Sequence, residues 1–361
     1  MFKETDENGF CSIVMAVYNG ENYIREQLQS LFLQTRKPDE IIVSDDGSTD
    51  HTCEIIQEEF SKHPEIKTVL LHHHLEYKSI QEIDVPTHSN MFKCSQNFEF
   101  LARQVTMRYV FFCDQDDVWD LNKVEWFYRT SKEYPHAGLI FCDYKDIDEK
   151  LNPIRPSTKY EFLQSYQDFA LLPPKKLLVE AIKGCMVPGM CMCLRNDALK
   201  RCIPFSHYTF HDYWCLLVVA GSYPAVYIPQ PLVLYRHHSS NVTASTGNIS
   251  FKSLMRHIHG YRETIWNDYS NMQDFKKRGY TIQLPDQFIE QQENWYLSRL
   301  RFNREHKFFA CVAYILRSHK SYSKYAHDPA FYIINDLVSI LDVKFDRIRR
   351  RLSKIKAQCC Q

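Results

Sequence analysis

The sequence has no glycine-rich phosphate loop and no C-x-x-C motif, and each absence narrows what the chain can be. Its 361 residues include 10 glycines, with neither G-x-G-x-x-G nor G-x-x-x-x-G-K-S/T among them. If a nucleotide diphosphate binds, a metal ion rather than a glycine-rich helix start is the expected counter-charge. The 13 cysteines are odd in number and form no C-x-x-C pair, which suits reduced thiols better than a disulfide framework. Long apolar runs are missing too. Phe308 to Leu316, among the longest, is about half a membrane span. No cationic segment followed by an apolar stretch opens the sequence, so the expectation is a cytoplasmic protein that at most lies on a membrane, at its inner face. Neither charge is in excess: Lys+Arg and Asp+Glu stand at 44 each. That argues against a general nucleic-acid binder.

What is present begins with a strand–helix alternation in the first third. Ser12 to Val17 is a short apolar run ended by Tyr18-Asn19-Gly20, a strand entering a turn. Ile24, Leu28, Leu31 and Phe32 recur at helical spacing. Glu40 to Ser44, Lys67 to Leu71 and Tyr109 to Cys113 read as further strands, with a helix near Ser95 to Gln104. Thr49 or Asp50 is placed to cap the helix after the second strand. The pattern implies an α/β fold with a mostly parallel, doubly wound sheet and helices on both faces. His72 to Phe92 reads as a polar inserted loop. The triplet His72-His73-His74 cannot converge on one ion, because neighbours on a strand point to opposite faces. Ala225 to Ile228 and Leu232 to Tyr235 are two more strand-like runs, and the chain beyond residue 248 reads as helical. The expected division is therefore 1–247 and 248–361.

Two acidic clusters carry the chemistry. Asp45-Asp46-Gly47-Ser48 follows one apolar strand, and Asp114-Gln115-Asp116-Asp117 follows another. Ligands of doubly wound sheets bind at such strand ends. One cluster alone reads as a turn and helix cap; two at equivalent places read as a site. Asp114 and Asp116, one residue apart on a turn, can offer oxygens to one Mg²⁺ or Mn²⁺ that also takes diphosphate oxygens. Asp212 opens an apolar helix, where it serves equally as an N-cap or as a catalytic carboxylate.

Together these motifs resemble family 2 glycosyltransferases of the GT-A fold, and within them bacterial rhamnosyltransferase-like members. The similarity runs through Tyr18-Asn19-Gly20, Val43 to Asp50, Asn97-Phe98-Glu99, Phe112 to Trp119, His211-Asp212-Tyr213-Trp214 and Tyr235 to Asn241. It spans roughly residues 10 to 245. The resemblance implies that Asp45 faces the donor base, with Tyr18, Asn19, Asp46, Asn97 and Asp114 around the nucleotide-sugar. It also implies that Asp114 and Asp116 hold metal and diphosphate, that His238 approaches the metal, and that Asp212 is the catalytic base. The proline usual before the Tyr-Asn pair is replaced by Ala16-Val17. The Q-x-x-R-W element of processive synthases is missing, which favours transfer of a single sugar. The implied activity is inverting transfer from a nucleotide-diphosphate donor, a dTDP-rhamnose or UDP-sugar, to a glycan or lipid-linked acceptor in surface-polysaccharide synthesis.

Two other readings compete. Val110 to Val118 also fits the strand-D-x-D-x-V hallmark of haloacid-dehalogenase-like phosphohydrolases, and a catalytically silent sugar- or membrane-binding protein is the other alternative. Lys344, Arg347, Arg349, Arg350, Arg351, Lys354 and Lys356 flank an apolar face of Ile348, Leu352 and Ile355, which suits peripheral contact with an anionic membrane.

Overall fold

The structure, a computed structural model, describes residues 9–73, 90–154, 170–182, 187–239, 241, 267–280, 284, 286–305 and 333. The chain divides into two compact units. One is Met1–Ala181 with Met186–Ala244; the other is Ile182–Cys185 with Ser245–Gln361.

The first unit is built on the expected alternation. β1 (Cys11–Val17), β2 (Glu40–Asp45), β3 (Lys67–His72) and β4 (Tyr109–Cys113) are parallel neighbours in the order β3-β2-β1-β4. β1 and β4 are apolar on both faces because both are covered, as parallel strands in a covered sheet must be. α1 (Ile24–Phe32) and α2 (Thr52–Lys62) pack on each other, and α3 (Asn90–Gln104) lies against β1 and β2.

Beyond β4 the direction changes. β5 (Val118–Trp119) follows at once, then α4 (Lys123–Glu133), β6 (Leu139–Ile147), β7 (Ala170–Leu172), α5 (Pro174–Ile182), β8 (Met192–Arg195), α6 (Asn196–Cys202), α7 (His211–Ser222) and β9 (Ala225–Arg236). The sheet continues β4-β8-β6-β9-β5, with β7 on β9. β8 runs antiparallel to both β4 and β6, whereas β6 and β9 are parallel. The result is a mixed sheet with one wholly parallel half.

Several local expectations are corrected. The two runs at 225–228 and 232–235 are one strand, β9, whose pairing with β6 shifts twice around Pro229 and Pro231; proline has no N–H for the ladder, so the strand bulges there. β6 runs nine residues, from Leu139 to Ile147. The helix after β2 has His51 at its N-cap, not Thr49 or Asp50. Asp50 instead accepts from Thr52 N–H (3.1 Å) and from the Glu21 N–H (3.1 Å), tying two loops together. The supposed loop 72–92 is strand at His72 and helix from Asn90; residues 74–89 lie outside the described residues.

In the second unit, residues 267–277 and α8 (Asp286–Glu305) are helical. Phe275, Ile289, Trp295 and Tyr296 are buried there. Arg299 is also buried, its guanidinium 4.5 Å from the Trp295 ring. The basic segment from Lys344 to Lys356 lies outside the described residues. Among the described residues no helix is long and apolar enough to cross a membrane.

Candidate active site

The carboxyl ends of β1, β2 and β4 adjoin, because register pairs Val17 with Asp45 and Met15 with Cys113. The loops after these strands therefore meet, and their backbone groups are fastened by side chains. Gln115 accepts the Tyr18 N–H at 2.9 Å and returns Nε2–H to the Tyr18 carbonyl at 3.1 Å. A methyl group on Gly20 would sit 2.5 Å from Gln115 Oε1, so this clasp needs glycine there. Asn19 takes a left-handed φ of 47°, which asparagine tolerates. Its N–H donates to Ser48 Oγ and its Oδ1 accepts from Thr49 N–H. Tyr18 itself is 56% exposed.

At the β2 end the acidic pair is well supplied with partners. Asp45 accepts the N–H groups of Gly47 (3.0 Å) and Ser48 (3.1 Å), a geometry helped by Gly47 at φ 90°. Its Oδ2 lies 3.7 Å from His72 Nδ1. Asp46 contacts Nδ1 of His73 at 3.2 Å. His73 is buried rather than on a solvated loop, and the two histidines serve different carboxylates. Asn97 is 1% exposed, and its Nδ2–H donates to the Ser44 carbonyl at 3.0 Å. It thus fastens the end of β2 from beneath.

The β4 end is different. Among the described residues no hydrogen-bond donor reaches the Asp114 carboxylate. Burial first, then the charges of Asp116 and Asp212, raise its pKa to about 7. Asp116 Oδ2 lies 2.9 Å from Nε2 of His238, a side chain 5% exposed whose ring packs on Tyr23 with centroids 4.6 Å apart. His237 turns the other way, to Asp146 at 2.6 Å, as the opposed faces of neighbouring residues require. Asp117 is fully buried, and burial followed by Asp116 and Asp114 drives its pKa well up. Two hard carboxylates and an imidazole, with the Asp117 carboxylate close by, fit Mg²⁺ or Mn²⁺.

Asp212 is the second residue of α7, whose N-cap is Phe210 without a side-chain cap bond. It is therefore not the N-cap. Its two oxygens accept from Gly189 N–H (3.0 Å) and Tyr213 N–H (2.7 Å). Burial raises its pKa to about 6 against the lowering by those bonds. The neighbouring His211 is held neutral by burial, its pKa lowered to about 3, and stacks on Phe98 at 3.8 Å.

Three supporting residues carried no assigned role in the sequence. Arg236 is 1% exposed and threads the site: its Nε–H donates to the Asp116 carbonyl, its N–H to Asp117 and its Nη2–H to Glu26. Gly189 offers its N–H to Asp212, and a methyl group there would lie 3.0 Å from His211 Nε2. Lys123, also buried, donates to the Met190 carbonyl at 2.6 Å and lies 3.3 Å from the Trp119 ring centroid. The only sequence signal for Arg236 was its place in the Tyr235 to Asn241 motif.

Comparison with known proteins bears on this arrangement. The family model for glycosyl transferase family 2 matches residues 12–202. The dTDP-rhamnosyl transferase RfbG of Shigella flexneri is 26% identical over 255 residues, 68% of this chain and 78% of its own. An uncharacterized glycosyltransferase of Rickettsia typhi is 27% identical over 279 residues, 74% of this chain and 73% of its own. Among solved structures, S. aureus TarS 1-349 in complex with UDP-GlcNAc aligns with a TM-score of 0.52 at 15% identity. That alignment covers 93% of this chain and 92% of that one, a likeness of fold.

Proposed function

The chain belongs to glycosyl transferase family 2, and from that premise we propose an inverting, metal-dependent transfer of one sugar from a nucleoside diphosphate to an acceptor hydroxyl. Family membership sets aside the phosphohydrolase and silent-binder readings. The observation that carries the mechanism is Asp212: a carboxylate oriented by two backbone N–H groups, raised to about 6 by burial, and near enough to Asp114 to raise that group's pKa as well. It is ionised at neutral pH yet more basic than an ordinary carboxylate, which suits a general base.

In this reading Tyr18 and Asn19 border the nucleotide, Asp45 and Asp46 lie at its base and ribose side, and Asn97 positions the β2 end. Asp114, Asp116 and His238 hold Mg²⁺ or Mn²⁺. The bound ion would supply positive charge to the donor diphosphate. Asp212 takes the proton of the acceptor hydroxyl as its oxygen bonds to the anomeric carbon. The bond from that carbon to the diphosphate oxygen breaks, and its electron pair leaves with the nucleoside diphosphate. One displacement without a covalent intermediate inverts the anomeric configuration. The similarity to RfbG supports dTDP-rhamnose as the donor to try first. A glycan or lipid-linked acceptor and a location on the cytoplasmic face of a membrane follow the same reading.

The test is NMR of the first product formed from dTDP-rhamnose, or from UDP-sugars, with Mg²⁺ and an acceptor panel. An inverted anomeric centre and stoichiometric nucleoside diphosphate are expected. A retained configuration, or turnover unaffected by EDTA, overturns the reading.

A further inference from the structure

The metal assigned above leaves a second group of metal-ligating side chains unused. We propose that Asp45, Cys53 and His72 form a separate site for a borderline-soft divalent ion, Zn²⁺ or Co²⁺, and that its occupancy competes with nucleotide binding.

The donor atoms of these three residues all lie within 4.8 Å of one another. They come from three elements that hold their spacing. Asp45 ends β2, His72 ends β3, and the two are direct register partners. Cys53 is the second residue of α2, which opens just after the β2 loop. His72 Nδ1 is already 3.7 Å from Asp45 Oδ2, near the separation that two ligands of one ion keep. The triplet at 72–74 supplies a single member here; the other two ligands come from across the sheet edge, which removes the objection that adjacent histidines point apart.

The chemistry separates this group from the first site. Two carboxylates and one imidazole suit hard Mg²⁺ or Mn²⁺, whereas thiolate, imidazole and carboxylate together select Zn²⁺ or Co²⁺ over Mg²⁺. Three protein ligands leave a fourth position open to water or to a ligand atom. Asp45 need not surrender its bonds from Gly47 and Ser48, since each carboxylate oxygen has more than one lone pair. Without an ion, burial and then Asp45 hold the Cys53 thiol protonated, its pKa raised to about 11; a divalent cation reverses that balance by displacing the proton. The His72 side chain is 40% exposed, which gives an ion a way in.

The competition rests on the reading that Asp45 faces the donor base. An ion on its oxygens removes acceptor capacity from the base and adds positive charge where a hydrogen-bond acceptor is needed. Linkage then requires that nucleotide weaken the ion by the factor by which the ion weakens nucleotide.

The experiment is a Co²⁺ titration of the full chain under reducing conditions, with Mg²⁺ in excess to fill the first site, read by thiolate-to-cobalt charge-transfer absorption. The band is expected in the native protein and in Asp116→Asn. It should be absent in Cys53→Ser, and in His72→Gln Co²⁺ should bind at least about tenfold more weakly. UDP or dTDP should weaken Co²⁺ by a similar factor. A band that survives Cys53→Ser belongs to other thiols and overturns the site, as does no band at all. If Co²⁺ binds through Cys53 but a nucleotide whose affinity depends on Asp45 leaves it unchanged, the competition is overturned. If Asp45→Ala leaves nucleotide affinity intact, it is the assignment of Asp45 to the base that fails.

Discussion

The two acidic clusters occupy equivalent places at the ends of β2 and β4, on either side of β1, yet the protein supports them unequally. At the end of β2, Asp45 receives two backbone N–H groups and Asp46 a buried histidine. At the end of β4, Asp114 receives no hydrogen bond from the described residues, and Asp117 is buried with one oxygen unpartnered. Concentrated negative charge disfavours the folded state unless something compensates it. At β2 the chain itself compensates. At β4 the support is thinner: His238 meets Asp116 and the Arg236 N–H meets Asp117, while no donor among the described residues reaches Asp114, the difference expected if that cluster is the one that takes metal and diphosphate.

Asp212 stands between the two cases, oriented by backbone donors but raised by burial, and it carries the largest expected effect. Asp212→Asn should lower turnover by roughly 10²–10⁴, the loss expected for a general base. One of its two N–H donors would then face an amide NH₂, so stability should also fall by about 1–3 kcal/mol. The native rate should rise with pH as the base ionises, with a limb at or below about 6, since bound metal nearby pulls the Asp212 pKa down from the value burial gives it. The limb should vanish in Asp212→Asn. A pH–rate profile with the limb intact in that variant would assign it to another group.

The position of these carboxylates was legible in the sequence because apolar strands announce themselves and acids rarely follow them by chance. Their partners were not. Gly189 meets Asp212 from 23 residues away, and Arg236 reaches Asp116 across 120; neither leaves a local pattern. The resemblance placed Asn19 and Asn97 at the nucleotide; in the structure Asn19 also ties two loops together and the Asn97 side chain holds the end of β2. The four parallel strands followed from alternation, whereas the insertion of antiparallel β8 between β4 and β6 depends on tertiary pairing. His73 read as solvated because polarity of the segment was visible and the nearby Asp46 was not.

The next effect tests the β4 cluster directly. Mn²⁺ at about 100 times its Kd should stabilise the protein by about 2.7 kcal/mol, read as a rise in Tm. Asp116→Asn should abolish most of that rise and weaken donor binding at least about tenfold. Without metal, the variant should be no less stable than the native chain, because it removes repulsion from Asp114 and Asp117. A metal-free loss of more than about 1 kcal/mol, by urea titration, would mean that Asp116 contributes to the fold chiefly through His238.

At β2 the order of effects should reverse. Asp45→Ala removes the acceptor for two backbone N–H groups, so it should cost about 1–3 kcal/mol with or without Mn²⁺. The Mn²⁺-induced rise in Tm should stay at its native size. Stability unchanged by this substitution would show that water replaces the carboxylate, and that the cluster is less committed to the fold than its bonds suggest.

The smallest effect is expected from Asp46→Asn. An amide oxygen can still accept from His73 Nδ1–H, so the contact at 3.2 Å survives with a neutral acceptor. What is lost is the charge-assisted part of one hydrogen bond, on the order of 0.5–1 kcal/mol. The variant should therefore melt only slightly below the native protein, and its response to Mn²⁺ should be native. That second measurement decides whether the two clusters hold separate ions or one. If Asp46→Asn erased the Mn²⁺ effect as Asp116→Asn does, both clusters would share one ion. The partners around Asp45 and Asp46 would then be preparing metal ligands rather than neutralising charge.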